Sequence, residues 1–194
     1  MSDAKHKRRT QVERRAESRQ AVLHSACRLF GEKGFACTSL EDIASDCGLT
    51  IRPIYHYFGN KRALFAAVND VMEERIIESM HTGSAGVVAP GVLENWRAYL
   101  DLCDDPGFRQ IVLIDSPNIL GRERWANSKV AHKLRRVLQA DTAVTKVEQF
   151  REELLHAVVM GAFAEAALTV AGAADIKVAK VEAERLMESL FSSR

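Results

Sequence analysis

The chain has 194 residues, of which 47% are hydrophobic and 27% charged, and its formal net charge is only +1. A chain of this length can bury a substantial core, either as one large domain or as a small and a medium one. The four cysteines, Cys27, Cys37, Cys47 and Cys103, are too few and too scattered for a disulfide scaffold and include no Cys-x-x-Cys pair, so we expect a reducing cytoplasm.

The small net charge hides an uneven distribution along the chain. Residues 1–62 contain twelve Lys and Arg against seven Asp and Glu, whereas residues 63–194 contain fifteen against nineteen. A basic segment attracts phosphates and releases counterions on binding nucleic acid. Within it, residues 1–16 are rich in charge and poor in apolar side chains, which predicts a basic flexible arm. The alternative is a solvated tail, and no apolar run follows that would make it a signal peptide.

Next along the chain comes the pattern of a DNA-binding helix-turn-helix. Thr38 and Glu41 have the Thr-x-x-Glu spacing of a capping box, which begins a helix. Gly48 stands where the chain must leave that helix with a positive φ. Thr50 is then expected to cap a second helix, whose first turn tolerates Pro53 because a proline lacks only an N–H that has no helical partner there. This short helix is expected to enter a major groove.

Many residues around this turn recur at the spacing of one family. They are Leu29-Phe30, Gly34-Phe35, Thr38-Ser39, Ile43-Ala44, Gly48-Leu49-Thr50 and the run from Ile54 to Phe65. The chain therefore resembles, over about residues 17–68, the amino-terminal domain of the TetR family of bacterial transcriptional regulators. The resemblance implies a homodimeric repressor that binds a palindromic operator and is released by a small, largely apolar molecule. Arg52 departs from the family, which usually has Gly or another small residue there.

The helix-turn-helix supplies the candidate DNA contacts. Arg52 lies at the amino-terminal end of the recognition helix, over about residues 51–57, where its guanidinium is expected to donate two hydrogen bonds to a guanine; the alternative is a phosphate contact. If Arg52 reads no base, the candidates for recognition are Thr50, Ile51, Pro53 and Tyr55. The candidates for phosphate contact are Thr38, Ser39, Tyr55, His56 and Lys61. Tyr57 and Phe58 are expected to anchor the core.

Helical periodicity without strand-like alternation predicts an all-α fold. We expect an N-terminal three-helix helix-turn-helix DNA-binding domain over residues 17–62 and a C-terminal helical ligand-binding and dimerisation domain over residues 92–194. Residues 63–80 form a connecting helix, and the Gly- and Pro-containing residues 81–91 form an interdomain loop. Later helices are expected near residues 92–102, 106–114, 122–140, 147–171 and 174–191, with breaks at Ser116-Pro117 and Gly121.

Bulky side chains concentrate in the middle helices. The resemblance implies a small-molecule pocket in this domain, although apolar residues at helical spacing normally form core. The candidate pocket residues are Trp96, Tyr99, Leu100, Cys103, Phe108, Ile111, Ile114, Leu120, Trp125, Met160 and Phe163.

The last two helices have the pattern of a subunit interface. Residues 154–174 are apolar over a length that can cross a bilayer, but Glu165 near the centre opposes insertion. Small residues there favour close helix packing, and the final helix has apolar residues at alternating three- and four-residue spacing. An internal core pair in a monomer is the alternative. The candidate dimer-interface residues are Ala157, Gly161, Ala164, Ile176, Ala179, Ala183, Leu186 and Leu190.

Enzyme signatures are missing from the sequence. It has no Gly-x-Ser-x-Gly, phosphate-binding loop or His-Glu-x-x-His, and Glu153 with His156 is a single Glu-x-x-His where a di-iron bundle needs two. We therefore expect no catalytic residue, no metal site and no cofactor; a helical-bundle enzyme or a metal- or redox-dependent protein is the alternative. Expected partners are double-stranded operator DNA, a second copy of the chain and a small-molecule effector, but no membrane. The resemblance places Cys37 and Cys47 where the family commonly has small buried residues such as Ala; a redox switch is the alternative.

Overall fold

The computed structural model describes residues 10–80, 88–138 and 146–192, and within these ranges every regular element is helical. The chain divides into two compact units, Met1–Val68 and Asn69–Arg194, and the division falls inside α4. The helices of the first unit are α1 (Gln11–Lys33), α2 (Leu40–Asp46), α3 (Ile51–Phe58) and the start of α4 (Lys61–Ser79). The remaining elements are α5 (Val88–Leu102), α6 (Pro106–Arg109), a π-helical segment (Gln110–Asp115), α7 (Ser116–Ile119), α8 (Arg122–Ala126), α9 (Lys129–Leu138), α10 (Lys146–Ala171) and α11 (Ile176–Ser192).

Helix α1 begins earlier than the sequence predicted. Thr10 caps it: its hydroxyl accepts a hydrogen bond from the Glu13 backbone N–H at 3.2 Å, and the Glu13 carboxylate accepts one from the Thr10 N–H at 2.7 Å. This reciprocal capping box satisfies two backbone donors. The prediction of a flexible arm over residues 1–16 is therefore wrong for residues 11–16, which are helical, and residues 1–9 lie outside the described residues.

Aromatic side chains form the centre of the first unit. The Phe30 and Phe65 rings meet edge-on with centroids 5.3 Å apart, and Phe35 lies 5.1 Å from Phe65. Ile54 of α3 is fully buried with them. Burial of this kind is the main term that holds a small helical domain together. This packing holds α3 through one face and leaves the opposite face exposed to solvent.

A polar contact also joins α1 to α2. The Ser25 hydroxyl donates to the Ile43 carbonyl at 3.3 Å and to the Asp46 carboxylate at 2.6 Å, and Arg28 pairs with the same carboxylate. The hydrogen bond from Ser25, with the charge of Arg28, lowers the pKa of Asp46 below its usual range. The two helices that precede the turn are thereby held in register.

Three predicted boundaries in the second unit are wrong. Helix α5 already begins at Val88, because Pro90 falls in its first turn, where the missing N–H costs nothing; the rest of the predicted loop, residues 81–87, lies outside the described residues. The predicted break at Ser116-Pro117 does not interrupt the helical run, since Pro117 likewise lies in the first turn of α7. The single helix predicted over residues 122–140 divides before Ser128, whose hydroxyl accepts from the Ala131 N–H at 3.0 Å.

Helix α10 packs its inner face against the middle helices. Val159, Phe163 and Ala167 are buried on this face, and the His156 ring nitrogen Nε2 lies 3.1 Å from the Ala131 carbonyl of α9. Helix α11 packs against α5 and α10. Between α5 and α11, Lys180 pairs with Asp101 at 2.9 Å and with Asp104 at 3.0 Å, and Arg97 pairs with Glu184 and Glu188.

The second half of α4 carries a buried carboxylate. Glu73 is 4% exposed, and its oxygens accept hydrogen bonds from the Asn69 amide at 3.0 Å and from the Lys129 backbone N–H at 3.4 Å. Arg124 pairs with Asp70 and lies 3.6 Å from the Glu73 carboxylate. Burial raises the pKa of Glu73, and the positive charge of Arg124 offsets this only in part.

Candidate nucleic-acid interface

The first helix of the predicted helix-turn-helix, α2, is capped by Ser39 and not by Thr38. Ser39 and Asp42 form the capping box: the Ser39 hydroxyl accepts from the Asp42 N–H at 3.0 Å, and the Asp42 carboxylate accepts from the Ser39 N–H at 2.9 Å. Thr38 is 1% exposed, and its hydroxyl is directed to the carbonyls of Gly34 at 2.8 Å and Leu29 at 3.1 Å. The prediction that Thr38 caps α2 is therefore wrong; Thr38 lines the same cleft as Ser39, but its hydroxyl is engaged by these carbonyls.

The turn between α2 and α3 has the expected glycine geometry. Gly48 has a φ of 67°, a left-handed conformation that is strained for residues with a Cβ. The Leu49 N–H donates to the Ala44 carbonyl at 2.9 Å and closes the turn. Thr50 is the N-cap residue of α3 as predicted, but its exposed side chain makes no capping hydrogen bond. The Thr50 hydroxyl is thus left at the surface beside the start of α3.

Helix α3 has one buried and one exposed face. Ile54 is 0% exposed, and Tyr57 and Phe58 are half-buried, as expected for core anchors. Phe58 also lies under the Arg19 guanidinium, 5.1 Å from the ring centroid. On the opposite face the structure brings together three exposed side chains with hydrogen-bonding groups: Arg52, Tyr55 and His56. The other two candidates on this helix, Ile51 and Pro53, are half-buried.

Candidate phosphate-contacting residues line an open cleft of about 430 Å³ at the start of α2. Ser39, Tyr55 and Lys61 reach it from three different segments. The Lys61 ammonium lies 4.3 Å from the centroid of the Phe35 ring, which holds the charge by a cation–π contact. The Asp42 carboxylate also lines the cleft, and its hydrogen bonds from Ser39 lower its pKa.

The cysteines differ from the expectation in one case. Cys37 is exposed and lines the same cleft, so the prediction that it is a small buried residue is wrong. Cys47 is half-buried, with its thiol 3.5 Å from the Ala44 carbonyl. Cys103 is buried in the second unit, where burial raises the pKa of its thiol to about 12.

The candidate pocket residues of the second unit form an aromatic cluster. The ring centroids of Trp96 and Phe163 lie 4.8 Å apart, and those of Trp96 and Tyr99 lie 6.4 Å apart. The Phe108 ring centroid lies 6.2 Å from that of Tyr99. Desolvation raises the pKa of the Tyr99 hydroxyl. The other buried candidates are Leu100, Cys103 and Ile111, and the half-buried ones are Leu120, Trp125 and Met160.

Ile114 does not belong to this cluster. Its side chain is 47% exposed because it lies in the π-helical segment, where the wider turn alters the direction of successive side chains. The prediction that Ile114 lines a pocket is wrong.

The candidate interface residues lie on partly different faces of α10 and α11. Ala157, Gly161 and Ala164 of α10 are exposed, as are Leu186 and Leu190 of α11. In contrast, Ile176, Ala179 and Ala183 are half-buried within the chain itself. Sequence reasoning missed the larger exposed side chains of α10, whose i, i+4 spacing was a usable signal. Phe150, Leu154 and Val158 have this spacing, and Leu168 is exposed farther along the helix.

Part of this helix, Glu153–Ala171, is also long and apolar enough to cross a membrane, with 28% of its most apolar window buried. Length and composition alone are weak evidence for a membrane span. In this chain one face of α10 is packed against the second unit, and the exposed apolar residues are confined to the other face.

Two family models match the chain. Residues 22–68 match the model described as "Bacterial regulatory proteins, tetR family", and residues 89–193 match that of the "Tetracyclin repressor-like, C-terminal domain". A capped helix, a glycine turn and a second helix with an exposed polar face define a helix-turn-helix transcriptional regulator. The chain belongs to the TetR family of such regulators and is not an enzyme.

Relatives and solved structures agree with this assignment. The chain is 43% identical over 87 residues to the HTH-type regulator YezE of Bacillus subtilis, which covers 44% of this chain and 45% of YezE. It is 33% identical over 92 residues to an HTH-type repressor of Mycobacterium tuberculosis, covering 45% and 49% of the two chains. It thus spans less than half the length of these relatives. A TetR-family regulator from Pectobacterium atrosepticum has the same fold, with a TM-score of 0.67, 27% identity and coverage of 94% and 95%.

Proposed function

We propose that the protein is a cytoplasmic repressor that binds a palindromic operator as a homodimer and releases it when a small molecule occupies the second unit. The observation that carries the DNA-binding part is the exposed face of α3, where Arg52, Tyr55 and His56 lie together. Arg52 is exposed and makes no ion pair or hydrogen bond within the described part of the chain. A guanidinium left free on a recognition helix is suited to a guanine edge.

The operator contacts divide by chemistry. Arg52 and Thr50, at the start of α3, are assigned to base edges, because the amino-terminal end of a recognition helix approaches them most closely. Ser39, Tyr55, His56 and Lys61 are assigned to phosphates, since three of them share one cleft and Lys61 brings a positive charge. Ile51 and Pro53 offer only apolar contact, and Thr38 is left out because its hydroxyl is buried.

The homodimer is proposed from the unpartnered apolar face of α10 and α11. Phe150, Leu154 and Val158 are 66%, 54% and 58% exposed, and Leu186 and Leu190 are 58% and 62% exposed. A row of large apolar side chains left in water marks an interaction surface. Small residues, Ala157 and Gly161, lie between them on α10 and allow a second helix to approach closely. A second copy of the chain supplies an identical apolar surface.

Repression and ligand release are proposed on two grounds. The Mycobacterium tuberculosis relative is named a transcriptional repressor, and its similarity to this chain is 33% over 92 residues. The aromatic cluster around Trp96 and Phe163 offers the kind of apolar surroundings in which small molecules bind. The proposed effector therefore acts in the second unit.

A promoter-binding assay tests this function. The purified chain is titrated against the intergenic DNA upstream of its own gene, with a scrambled duplex of equal length as control. We expect one protected palindrome and reduced transcription from that promoter in vitro. Equal affinity for both duplexes would contradict the operator, and increased transcription would contradict repression.

A further inference from the structure

Polar atoms in the core of the second unit define the chemistry of the effector more closely. Four residues that are more than nine-tenths buried have side-chain atoms without a hydrogen-bond partner in the described ranges: Asn69 (Oδ1), Asn95 (Nδ2 and Oδ1), Trp96 (Nε1) and Ser116 (Oγ). Native proteins pair nearly all such groups, because a buried donor or acceptor has lost its bonds to water. Unpaired groups in the interior therefore need an explanation.

Asn95 is the clearest of the four. It is 4% exposed, and because both amide atoms lack a partner, exchanging the amide nitrogen and oxygen would satisfy neither. Trp96 follows it on α5 and is 1% exposed. The Trp96 ring lies 4.8 Å from Phe163, so its free N–H belongs to the aromatic cluster. The two side chains leave α5 in different directions, because they are consecutive on the helix, and each carries polar atoms without a partner in the described ranges.

A second buried asparagine shows what a packing role looks like in this chain. Asn69 is 1% exposed, and its Nδ2 donates to the buried Glu73 carboxylate at 3.0 Å, although its Oδ1 has no partner. Asn69 and Asn95 therefore have similar burial but differ in pairing. The difference makes Asn69 a matched control for Asn95.

The charges around the aromatic cluster already have partners. Arg75 lies 5.5 Å from the Phe108 ring centroid and donates to Asp105 at 3.1 Å. Lys180 is held by Asp101 and Asp104 on the side of α5. An ionic ligand that paired with Arg75 or Lys180 would have to displace one of these carboxylates. The Arg109 guanidinium already donates to the Cys103 and Asp104 carbonyls at 2.6 and 3.2 Å. An uncompensated charge in a dry site is costly. The cluster therefore favours an uncharged ligand.

We propose that Asn95 holds the polar end of the effector, and that the effector is an uncharged, largely apolar molecule with a primary carboxamide or an equivalent paired acceptor and donor. A carboxamide can form two hydrogen bonds with the Asn95 amide, one in each direction. Its apolar remainder packs against the rings of Trp96 and Phe163. This inference rests on the proposed function only in taking the second unit as the effector-binding domain.

The first test needs no ligand. Asn95→Leu keeps the number of side-chain heavy atoms and removes two unpaired polar atoms. We therefore expect Tm to rise by about 2–4 °C, which is the shift that a change of about 1 kcal/mol in the free energy of unfolding produces in a chain of this length. Asn69→Leu removes a paired amide and should lower Tm. A lower Tm for Asn95→Leu would overturn the proposal, because it would show that the Asn95 amide is satisfied within the folded chain.

The second test uses two probes of matched shape, benzamide and isopropylbenzene, at equal concentrations in the absence of DNA. We expect the amide to raise the Tm of the native chain more than the hydrocarbon does, and Asn95→Leu to abolish this preference. Sodium benzoate should have the smallest effect. The proposal is overturned if the amide gives no rise, if the hydrocarbon equals it, or if the preference survives in Asn95→Leu. Failure of the repressor function would differ: the amide would bind without changing operator affinity.

Discussion

The ammonium of Lys61 lies 4.3 Å from the centroid of the Phe35 ring, at the edge of the cleft that Ser39 and Tyr55 also line. The aromatic face restrains a side chain that would otherwise sample many rotamers, so less entropy is lost when the ammonium meets a phosphate. Phe35 is itself fixed by packing on Phe30 and Phe65. The core of the first unit thereby positions a charge at the proposed DNA surface.

Lys61→Met should weaken binding to all DNA sequences by a similar factor. If each subunit loses one phosphate contact, the slope of log affinity against log salt should become shallower by about 2 for a dimer. Salt titrations of operator binding by fluorescence anisotropy measure this slope. Lys129→Met removes an exposed charge from the second unit and is the control. An unchanged slope for Lys61→Met would show that Lys61 contacts no phosphate.

Thr38 and Ser39 should separate stability from DNA binding. Thr38→Val removes a buried hydroxyl that bonds to the Gly34 and Leu29 carbonyls, so we expect a loss of about 1 kcal/mol in the free energy of unfolding. Ser39→Ala removes the α2 cap at a similar cost and should in addition weaken operator binding. Urea unfolding and operator titrations measure the two effects. Equal DNA affinity for both variants would remove Ser39 from the interface.

Arg52→Ala should change which sequences are bound. If the guanidinium donates to O6 and N7 of one guanine, discrimination at that position should fall by about 1–3 kcal/mol while the rest of the motif is kept. Sequencing of DNA selected from a random pool gives the preference at each position. Uniform weakening on every sequence would indicate a phosphate contact instead, and leave Thr50, Ile51, Pro53 and Tyr55 as the candidates for base recognition.

Leu154→Glu and Leu186→Glu should each weaken dimerisation. Each places a charge on the exposed apolar face of α10 or α11, and an unpaired charge enclosed at an interface costs about 3 kcal/mol or more, which is about a hundredfold in the dissociation constant. Sedimentation velocity over a range of concentrations measures it. Val12→Glu, at an exposed apolar residue of α1, is the matched control. An undisturbed dimer in both test variants would place the interface elsewhere.

Glu73 should make stability depend on pH. Burial raises its pKa in the folded chain above the unfolded value of about 4.3, so the folded state binds the proton more tightly. The tighter proton binding stabilises the folded chain. This stabilisation is fully present below the pKa of Glu73 in the unfolded chain, and it is lost as pH rises through the pKa of Glu73 in the folded chain. Glu73→Gln does not titrate, so relative to the native chain it should gain stability between pH 4 and pH 7. Urea unfolding across this range tests it; a constant difference, or the opposite trend, would contradict the assignment.

The helices and the turn were predictable from local patterns, whereas several side-chain roles depended on distant packing. Gly48 was identified because a positive φ at that turn requires a residue without a Cβ. The capping box was misplaced by one residue because Thr38 with Glu41 and Ser39 with Asp42 both satisfy a similar spacing rule. The burial of the Thr38 hydroxyl against the end of α1 decides between them.

The candidate sites of the second unit show the same limit. Periodicity correctly identified Trp96, Leu100 and Phe163 as buried, but it assumed a regular α-helix through Ile114, where the chain forms a π-helical segment. No local pattern signals that Asn95 lacks partners, because pairing depends on which side chains the other helices bring near it. The missing partners of Asn95 are evident only in the folded chain.

The central claim is that two copies of this chain read one palindrome through α3. Selection of bound duplexes from a random pool, followed by sedimentation of the purified complex on the best duplex, tests it most directly. We expect an inverted repeat with two equivalent half-sites, and two protein chains bound to each duplex. No enriched motif, or a single half-site occupied by one chain at saturating protein, would contradict it.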